Sequence, residues 1–200
     1  SSPGPSTGMP GGYGVTISAL TSPAHASSGL ATAAAHTASR GESPWRVNGG
    51  VWAATYGHGL FLLNEAGATN ITLPGAGDSP AYLQSVLADR AGRLWVSTMG
   101  AGLRLVEGSN TRRVPQTQTA GGNVIALFED SRGMVWHSGG GPLIGSSDGT
   151  SFQTFGPADG LLAGGIACFA EDTSGALWAA SGSGVFRRDR HSSFVEVKGA

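Results

Sequence analysis

The side chains of this sequence that could do chemistry are few and scattered. His137 directly follows a tryptophan. An imidazole there could contact a ligand or respond to protonation near a surface, or it could be a structural histidine satisfied by the backbone. Tyr56 and His58 flank a single glycine. An aromatic ring beside an imidazole on a loop can stack on a sugar ring, although both could equally be ordinary loop side chains. These three residues are the candidate ligand-binding residues.

Three aspartates invite a comparison with acid–base catalysis. Asp89, Asp130 and Asp172 each precede a glycine by three residues and a tryptophan by six. Because the aspartate recurs at the same position of each copy, each one is expected to cap its own turn, and the three are not expected to converge on one site. We therefore interpret them as turn caps. Glu129 and Glu171, which precede two of them, are expected to face solvent.

The remaining reactive residues do not form a recognisable site. Cys168 is the one cysteine of the chain, so it cannot form a disulfide within the chain, and we expect a buried, inert thiol. The five histidines do not show the spacing of metal ligands, and neither a P-loop nor a nucleophile elbow is present. The sequence thus predicts no catalytic residue, no metal and no cofactor.

Tryptophans mark an internal repeat that must position all these residues. Trp52, Trp95, Trp136 and Trp178 are spaced by 43, 41 and 42 residues. The last three copies carry the Asp-x-x-Gly sequence ahead of the tryptophan, whereas the first has Arg46 in place of the aspartate. His137 stands where the other copies carry small or apolar residues, which are Ala53, Val96 and Ala179.

Each copy contains four strand-sized pieces separated by turn residues. An apolar run ends in the Asp-x-x-Gly turn, the tryptophan strand follows, and a Gly-Leu turn and an aromatic pair complete the unit. Four antiparallel strands in about 42 residues is the size of one β-propeller blade. The predicted fold is therefore all-β, with four four-stranded blades, and each tryptophan is expected to lie between neighbouring blades.

The predicted boundaries follow from this register. Residues 1–12 are rich in Ser, Pro and Gly and are interpreted as a flexible linker. Blade one covers 13–80, with its first strand at 14–20 and an insertion at about 21–46 that is either a surface loop or a lid. The other blades are assigned to residues 81–121, 122–163 and 164–200.

Composition limits the classes of partner. Charged residues make up 12% of the chain and its net charge is −1, so it lacks the electrostatic footprint of a nucleic-acid-binding protein. No apolar stretch reaches the roughly 18 residues that a membrane helix needs, so we expect no membrane insertion in this segment.

The repeat resembles a known family. Residues 124–136, which read VIALFEDSRGMVW, and the segment from Phe152 to Trp178 are similar to the two-component-regulator propeller repeat. The resemblance implies an extracytoplasmic sensor region of a bacterial regulator, periplasmic or secreted, that binds a small molecule such as a carbohydrate. Four copies are fewer than such propellers usually have. The chain is therefore a fragment, a compact four-bladed ring, or half of an eight-bladed ring made by self-association.

Three functions compete on this basis. The leading interpretation is a non-catalytic ligand-sensing or protein-interaction module linked to two-component signalling. The second is a self-assembling structural propeller, because an incomplete ring leaves surfaces that invite pairing. The third is a propeller lyase or hydrolase acting on carbohydrate, since the fold alone does not exclude catalysis.

Overall fold

The computed structural model describes residues 51–55, 58–73, 83–98, 102–114, 123–139, 141, 143–161, 165–190 and 192–198. Within these ranges the chain forms short antiparallel strands and one 3₁₀ turn over Pro157–Asp159. No helix of the described residues is long and apolar enough to cross a membrane. The expected linker, the strand at 14–20, the insertion, Arg46 and Tyr56 lie outside the described residues.

The strands group into sheets that follow the predicted repeat. Blade one shows three described strands, β1 (Val51–Thr55), β2 (Gly59–Asn64) and β3 (Gly67–Ile71), paired in chain order. Its expected first strand is the one that lies outside the described residues. The sheet is antiparallel throughout, as the sequence predicts.

Blades two to four each contain four strands in an antiparallel meander. Blade two is β4 (Leu83–Ala88), β5 (Leu94–Thr98), β6 (Gly102–Glu107) and β7 (Asn110–Arg113). Blade three is β8 (Val124–Glu129), β9 (Val135–Gly139), β10 (Ile144–Ser147) and β11 (Phe152–Phe155). Blade four is β12 (Ile166–Glu171), β13 (Leu177–Ser181), β14 (Val185–Arg188) and β15 (Val195–Glu196). The predicted all-β propeller architecture is confirmed.

The Asp-x-x-Gly turn joins the first and second strands of these three blades. Its glycines, Gly92, Gly133 and Gly175, have φ of 79°, 81° and 78°. That left-handed conformation is open to glycine at little cost and strained for residues with a side chain. The glycine of the Asp-x-x-Gly sequence is therefore explained by the backbone conformation of the turn.

The hydrophobic cores lie between blades. Alternate residues of a strand point to opposite faces, so blades two and three each pack against the blade before and the blade after. Trp52 packs against blade two, Trp95 against blade three and Trp136 against blade four. These three rings are at most 3% exposed, which confirms their predicted position between blades. Trp178 is only half-buried, because no further blade among the described residues covers it.

Candidate functional site

The tryptophans and the turn aspartates form one recurring unit. The indole Nε1 of Trp95, Trp136 and Trp178 donates to Oδ2 of the aspartate six residues earlier, at 2.8, 3.0 and 2.8 Å. The other carboxylate oxygen accepts the backbone N–H four residues after the aspartate, as at Asp130 and Met134, 3.0 Å. One side chain thus ties the turn to the buried ring.

These bonds favour the ionised form of Asp130 and Asp172. Burial raises the pKa of Asp130, but hydrogen bonds from Trp136 and Arg132 outweigh it and leave the pKa below its ordinary value. Hydrogen bonds from Ser174 and Trp178 lower the pKa of Asp172 as well. A carboxylate held in this way is a poor proton donor or acceptor at neutral pH. The side chains of Asp89, Asp130 and Asp172 are thus engaged within their own turns, and their purely structural role stays a prediction.

The prediction that Glu129 faces solvent is wrong, and Glu171 is half-buried and hydrogen-bonded to the preceding blade. Glu129 is 4% exposed, and its carboxylate accepts the backbone N–H of Arg90 in blade two at 3.0 and 3.2 Å. Glu171 accepts the backbone N–H and the hydroxyl of Ser131 in blade three at 2.6 and 2.7 Å. The physical reason is that the turn of one blade lies beside the end of the first strand of the next. Each glutamate satisfies a turn N–H of the preceding blade.

His137 lies in the interior and not near a blade surface. It follows Val135 by two residues on β9, so it shares the face that packs against blade two. The side chain is 0% exposed, and neither ring nitrogen has a hydrogen-bond partner in the part of the chain that the structure describes. Burial lowers the pKa of His137 to about 4, so the imidazole is neutral at physiological pH. The backbone-satisfied histidine expected from the sequence is not observed, and its role as a ligand contact stays a prediction.

The absence of a side chain opposite His137 explains how the ring fits. Gly145 of β10 is its cross-strand partner. A Cβ atom at Gly145 would overlap the imidazole. In blade three, a large residue on β9 thus faces a glycine on β10. Blades one and four have small residues at the position of His137, on β1 and β13.

His58, from the second pair of candidate ligand-binding residues, lies in a different blade from His137. His58 is exposed in the β1–β2 turn of blade one, and its carbonyl accepts a hydrogen bond from Asn70 Nδ2 at 2.9 Å. Its neighbour Tyr56 lies outside the described residues. His58 and His137 are on different blades, and the structure does not bring them together into one site.

The prediction of a buried Cys168 is also wrong. Cys168 pairs with Ala180 on the outward side of blade four and is exposed. Ser85 and Ala126, which occupy the equivalent position in blades two and three, are buried by the blade that follows. The three residues occupy equivalent strand positions, and Cys168 is exposed because no described blade follows blade four.

The sequence reasoning missed two clusters of arginine contacts. Side chains of Arg93 and Arg112 from blade two donate to the carbonyls of Asp148 and Gly149 in the β10–β11 turn of blade three. The Arg188 guanidinium lies over three rings at the boundary of blades three and four, at 5.5, 4.6 and 5.6 Å from the centroids of Trp136, Phe155 and Phe194. No repeated sequence signal marks these arginines, because each is present in one blade only.

The described part of the chain does not gather a catalytic set. No group of three or more His, Cys, Asp or Glu side chains within it could hold a metal ion. What recurs is a set of hydrogen bonds within the turns and between successive blades. The β1–β2 turn with His58 lies at the end opposite the Asp-x-x-Gly turns, since successive antiparallel strands alternate in direction.

Comparison with known proteins agrees with the fold. No protein-family model matches the chain, and no curated protein shows significant similarity to it. The chain is structurally similar to the extracellular domain of the hybrid two component system protein BT3049 from B. thetaiotaomicron, with a TM-score of 0.65 and 20% identity over 78% of this chain and 22% of that one. The corresponding domain of BT4673 from the same organism gives a TM-score of 0.56 and 15% identity, covering 76% and 21%.

An enzyme structure shares the fold too. Virginiamycin B lyase from Staphylococcus aureus is similar with a TM-score of 0.57 and 15% identity, over 74% of this chain and 52% of the lyase. The chain therefore spans between about a fifth and a half of the length of these structures. The likeness to the two extracellular domains is in agreement with the family resemblance of the repeat, and at these identities it is a likeness of fold.

Proposed function

We propose that this chain is a non-catalytic sensing or interaction module of the propeller type, extracytoplasmic and linked to two-component signalling. The observation that carries the proposal is the joint resemblance, in repeat sequence and in fold, to extracellular domains of two-component system proteins. The engagement of Asp89, Asp130 and Asp172 in turns supports the absence of chemistry at these positions.

The ligand-binding surface would be the end of the blades that carries the β1–β2 turn. A neutral chain with few charged residues on that turn suits an uncharged, hydroxyl-rich ligand better than a phosphate or a nucleic acid. Tyr56 and His58 would supply a stacking ring and a hydrogen-bonding group. We therefore propose a carbohydrate as the ligand class.

A thermal-shift screen with neutral and acidic oligosaccharides tests this proposal. A ligand at about 100 times its Kd stabilises a protein by about 2.7 kcal/mol, which raises the Tm of a domain of this size by roughly 5 °C or more. His58→Ala should abolish the shift. Ser109→Ala, in the β6–β7 turn at the opposite end, is the matched control and should leave it unchanged. A Tm that responds to no sugar would contradict carbohydrate sensing.

The likeness to virginiamycin B lyase supports a second candidate, a propeller lyase. Incubation of the chain with virginiamycin B, followed by chromatography and mass spectrometry, separates the two. We expect the compound to be recovered unchanged. A converted product would overturn the non-catalytic proposal, and loss of that product in His137→Ala would assign the activity to this chain.

A further inference from the structure

Two arginines lie side by side on the two outer strands of blade two. Arg104 of β6 and Arg113 of β7 are cross-strand partners, so their side chains leave the same face of the sheet. Arg104 also pairs with Val96, which belongs to the core between blades one and two. Both arginines are therefore on the side of blade two that meets blade one. Arg104 is half-buried and Arg113 is exposed, so solvent reaches the pair.

The protein does not neutralise this pair of charges. Among the described residues, Arg104 and Arg113 form no ion pair and no side-chain hydrogen bond. The neighbouring Arg112, on the opposite face of β7, is different, because it pairs with Glu107 at 3.7 Å. Like charges that lie directly opposite each other on two strands destabilise a sheet. The pair therefore lacks a counter-charge within this part of the chain.

Two buried polar atoms beside the pair also lack a partner. The Nε of Arg104 and the hydroxyl of Thr111 are both buried, and neither has a hydrogen-bond partner in the described ranges. Thr111 pairs with Val106, another residue of the core with blade one, so it lies on the same face and diagonal to Arg104. Buried polar atoms in folded proteins almost always bond to protein, water or an ion. The face thus presents two guanidinium groups and a hydroxyl as free donors.

The repeat gives no structural reason for an arginine at position 104. Its counterparts, which are the strand partners of the residue after each tryptophan, are Phe61, Gly145 and Phe186. Phe186 is 1% exposed in the core between blades three and four. An apolar or small side chain therefore satisfies the packing of a blade at this position, and the guanidinium of blade two requires another explanation.

We propose that Arg104, Arg113 and Thr111 form a binding site for an oxyanion, either an inorganic ion or the acidic group of a sugar. The guanidinium fork matches the oxygen geometry of carboxylate, sulfate and phosphate groups, and its hydrogen bonds to them are charge-assisted. Such a group would neutralise the like-charge pair and accept hydrogen bonds from the buried Nε and hydroxyl. The site lies at the boundary of blades one and two and is independent of the ligand proposed for the β1–β2 turn.

Isothermal titration calorimetry of the wild-type chain in Tris chloride of low ionic strength tests the proposal. Sodium sulfate, sodium phosphate and sodium glucuronate are the separate probes. At least one of them should bind with a Kd of about 1 mM or tighter, and the affinity should fall as sodium chloride is added. Binding of glucuronate would identify an acidic sugar as the source of the oxyanion, and binding of sulfate or phosphate alone an inorganic ion. No binding of any probe would overturn the proposal.

Substitutions assign the binding to this site. Arg104→Gln and Arg113→Gln should each weaken the affinity at least about tenfold, because each removes a hydrogen bond between charged groups. Arg190→Gln is the matched control, since it removes the charge of an exposed arginine on blade four and should bind as the wild type does. His58→Ala should also keep the wild-type affinity, which separates this site from the proposed sugar site. Unchanged affinity in Arg104→Gln or Arg113→Gln would contradict the assignment.

Stability without an oxyanion gives an independent readout. Arg104→Leu removes the like-charge pair and the unpartnered Nε, so in chloride buffer this variant should melt about 2 °C or more above the wild type. Adding the probe that binds, at about ten times its Kd, should narrow the difference, because the probe stabilises only the protein with an intact site. An Arg104→Leu variant that melts below the wild type in chloride would show that the guanidinium holds the fold, and would overturn the proposal.

Discussion

The carboxylate of Glu171 in blade four accepts hydrogen bonds from the backbone N–H and the hydroxyl of Ser131 in blade three, at 2.6 and 2.7 Å. Glu129 and the backbone N–H of Arg90 repeat the relationship one blade earlier, at 3.0 and 3.2 Å. In both cases the acceptor is the residue before the turn aspartate, and the donor is the residue after the turn aspartate of the preceding blade. The repeat therefore encodes contacts between blades as well as within them.

Replacing Glu129 by alanine should destabilise the fold. The substitution leaves the Arg90 N–H without its acceptor, and hydrogen bonds to buried charged groups contribute about 1.5–3 kcal/mol, so we expect the free energy of unfolding to fall by about 2 kcal/mol. Urea denaturation measures the change. Glu107→Ala is the control, since that carboxylate pairs with Arg112 at 3.7 Å on the surface and its loss should matter little. Equal losses would contradict the inter-blade role.

Replacing Asp130 by alanine should cost more than the same change at Asp172. Asp130 is 0% exposed, and its removal leaves the buried Trp136 indole N–H unpaired, so we expect a loss of about 3 kcal/mol. Asp172 makes the equivalent bond to the half-buried Trp178, where water can replace the carboxylate. Thermal unfolding of the two variants side by side measures the difference. A larger loss at Asp172 would disprove the account of the buried unit.

Stability should fall as the pH drops from about 6.5 to about 4. His137 has its pKa lowered to about 4 in the fold, so below the ordinary value of 6.5 the unfolded chain binds a proton that the folded chain does not. The contribution is complete above about pH 6.5, is lost progressively down to about pH 4, and amounts to about 3 kcal/mol. Urea titrations at several pH values should show this slope in the wild type and lack it in His137→Ala. His58→Ala, an exposed histidine, should keep the slope.

Gly145→Ala should destabilise the chain through His137. The added Cβ would overlap the imidazole, and forced overpacking of a core costs about 1–3 kcal/mol. The same change in a His137→Ala background should cost much less, which a double-mutant cycle measures. Gly182→Ala, where nothing lies within 4 Å of the new Cβ, is the matched control. Additive losses would show that the two residues do not share one space.

The repeat made the blades predictable from sequence. The spacing of the tryptophans, with Gly92, Gly133 and Gly175 in the turns, is a local signal with a local cause, and the structure reproduces it strand by strand. The indole-to-aspartate bond is equally regular, and the constant separation of six residues could have revealed it. The first strand of blade one and its insertion remain predictions.

The burial and contacts that could not be predicted from the sequence depend on neighbouring blades. Glu129 and Glu171 look like surface carboxylates until the preceding turn is placed beside them. Cys168 looks like a buried small residue, because Ser85 and Ala126 are buried, but no described blade covers it in blade four. Burial in a repeat protein is set by position in the stack, which one copy of the repeat does not encode.

The exchange rates of three turn amides test the blade-to-blade account most directly. Arg90 and Ser131 donate to a glutamate of the next blade, whereas Thr173 at the same position of blade four is exposed and has no acceptor for its N–H among the described residues. Site-resolved hydrogen exchange by NMR should show the first two amides protected and Thr173 exchanging freely. Protection of all three alike, or of none, would contradict the glutamate contacts between successive blades.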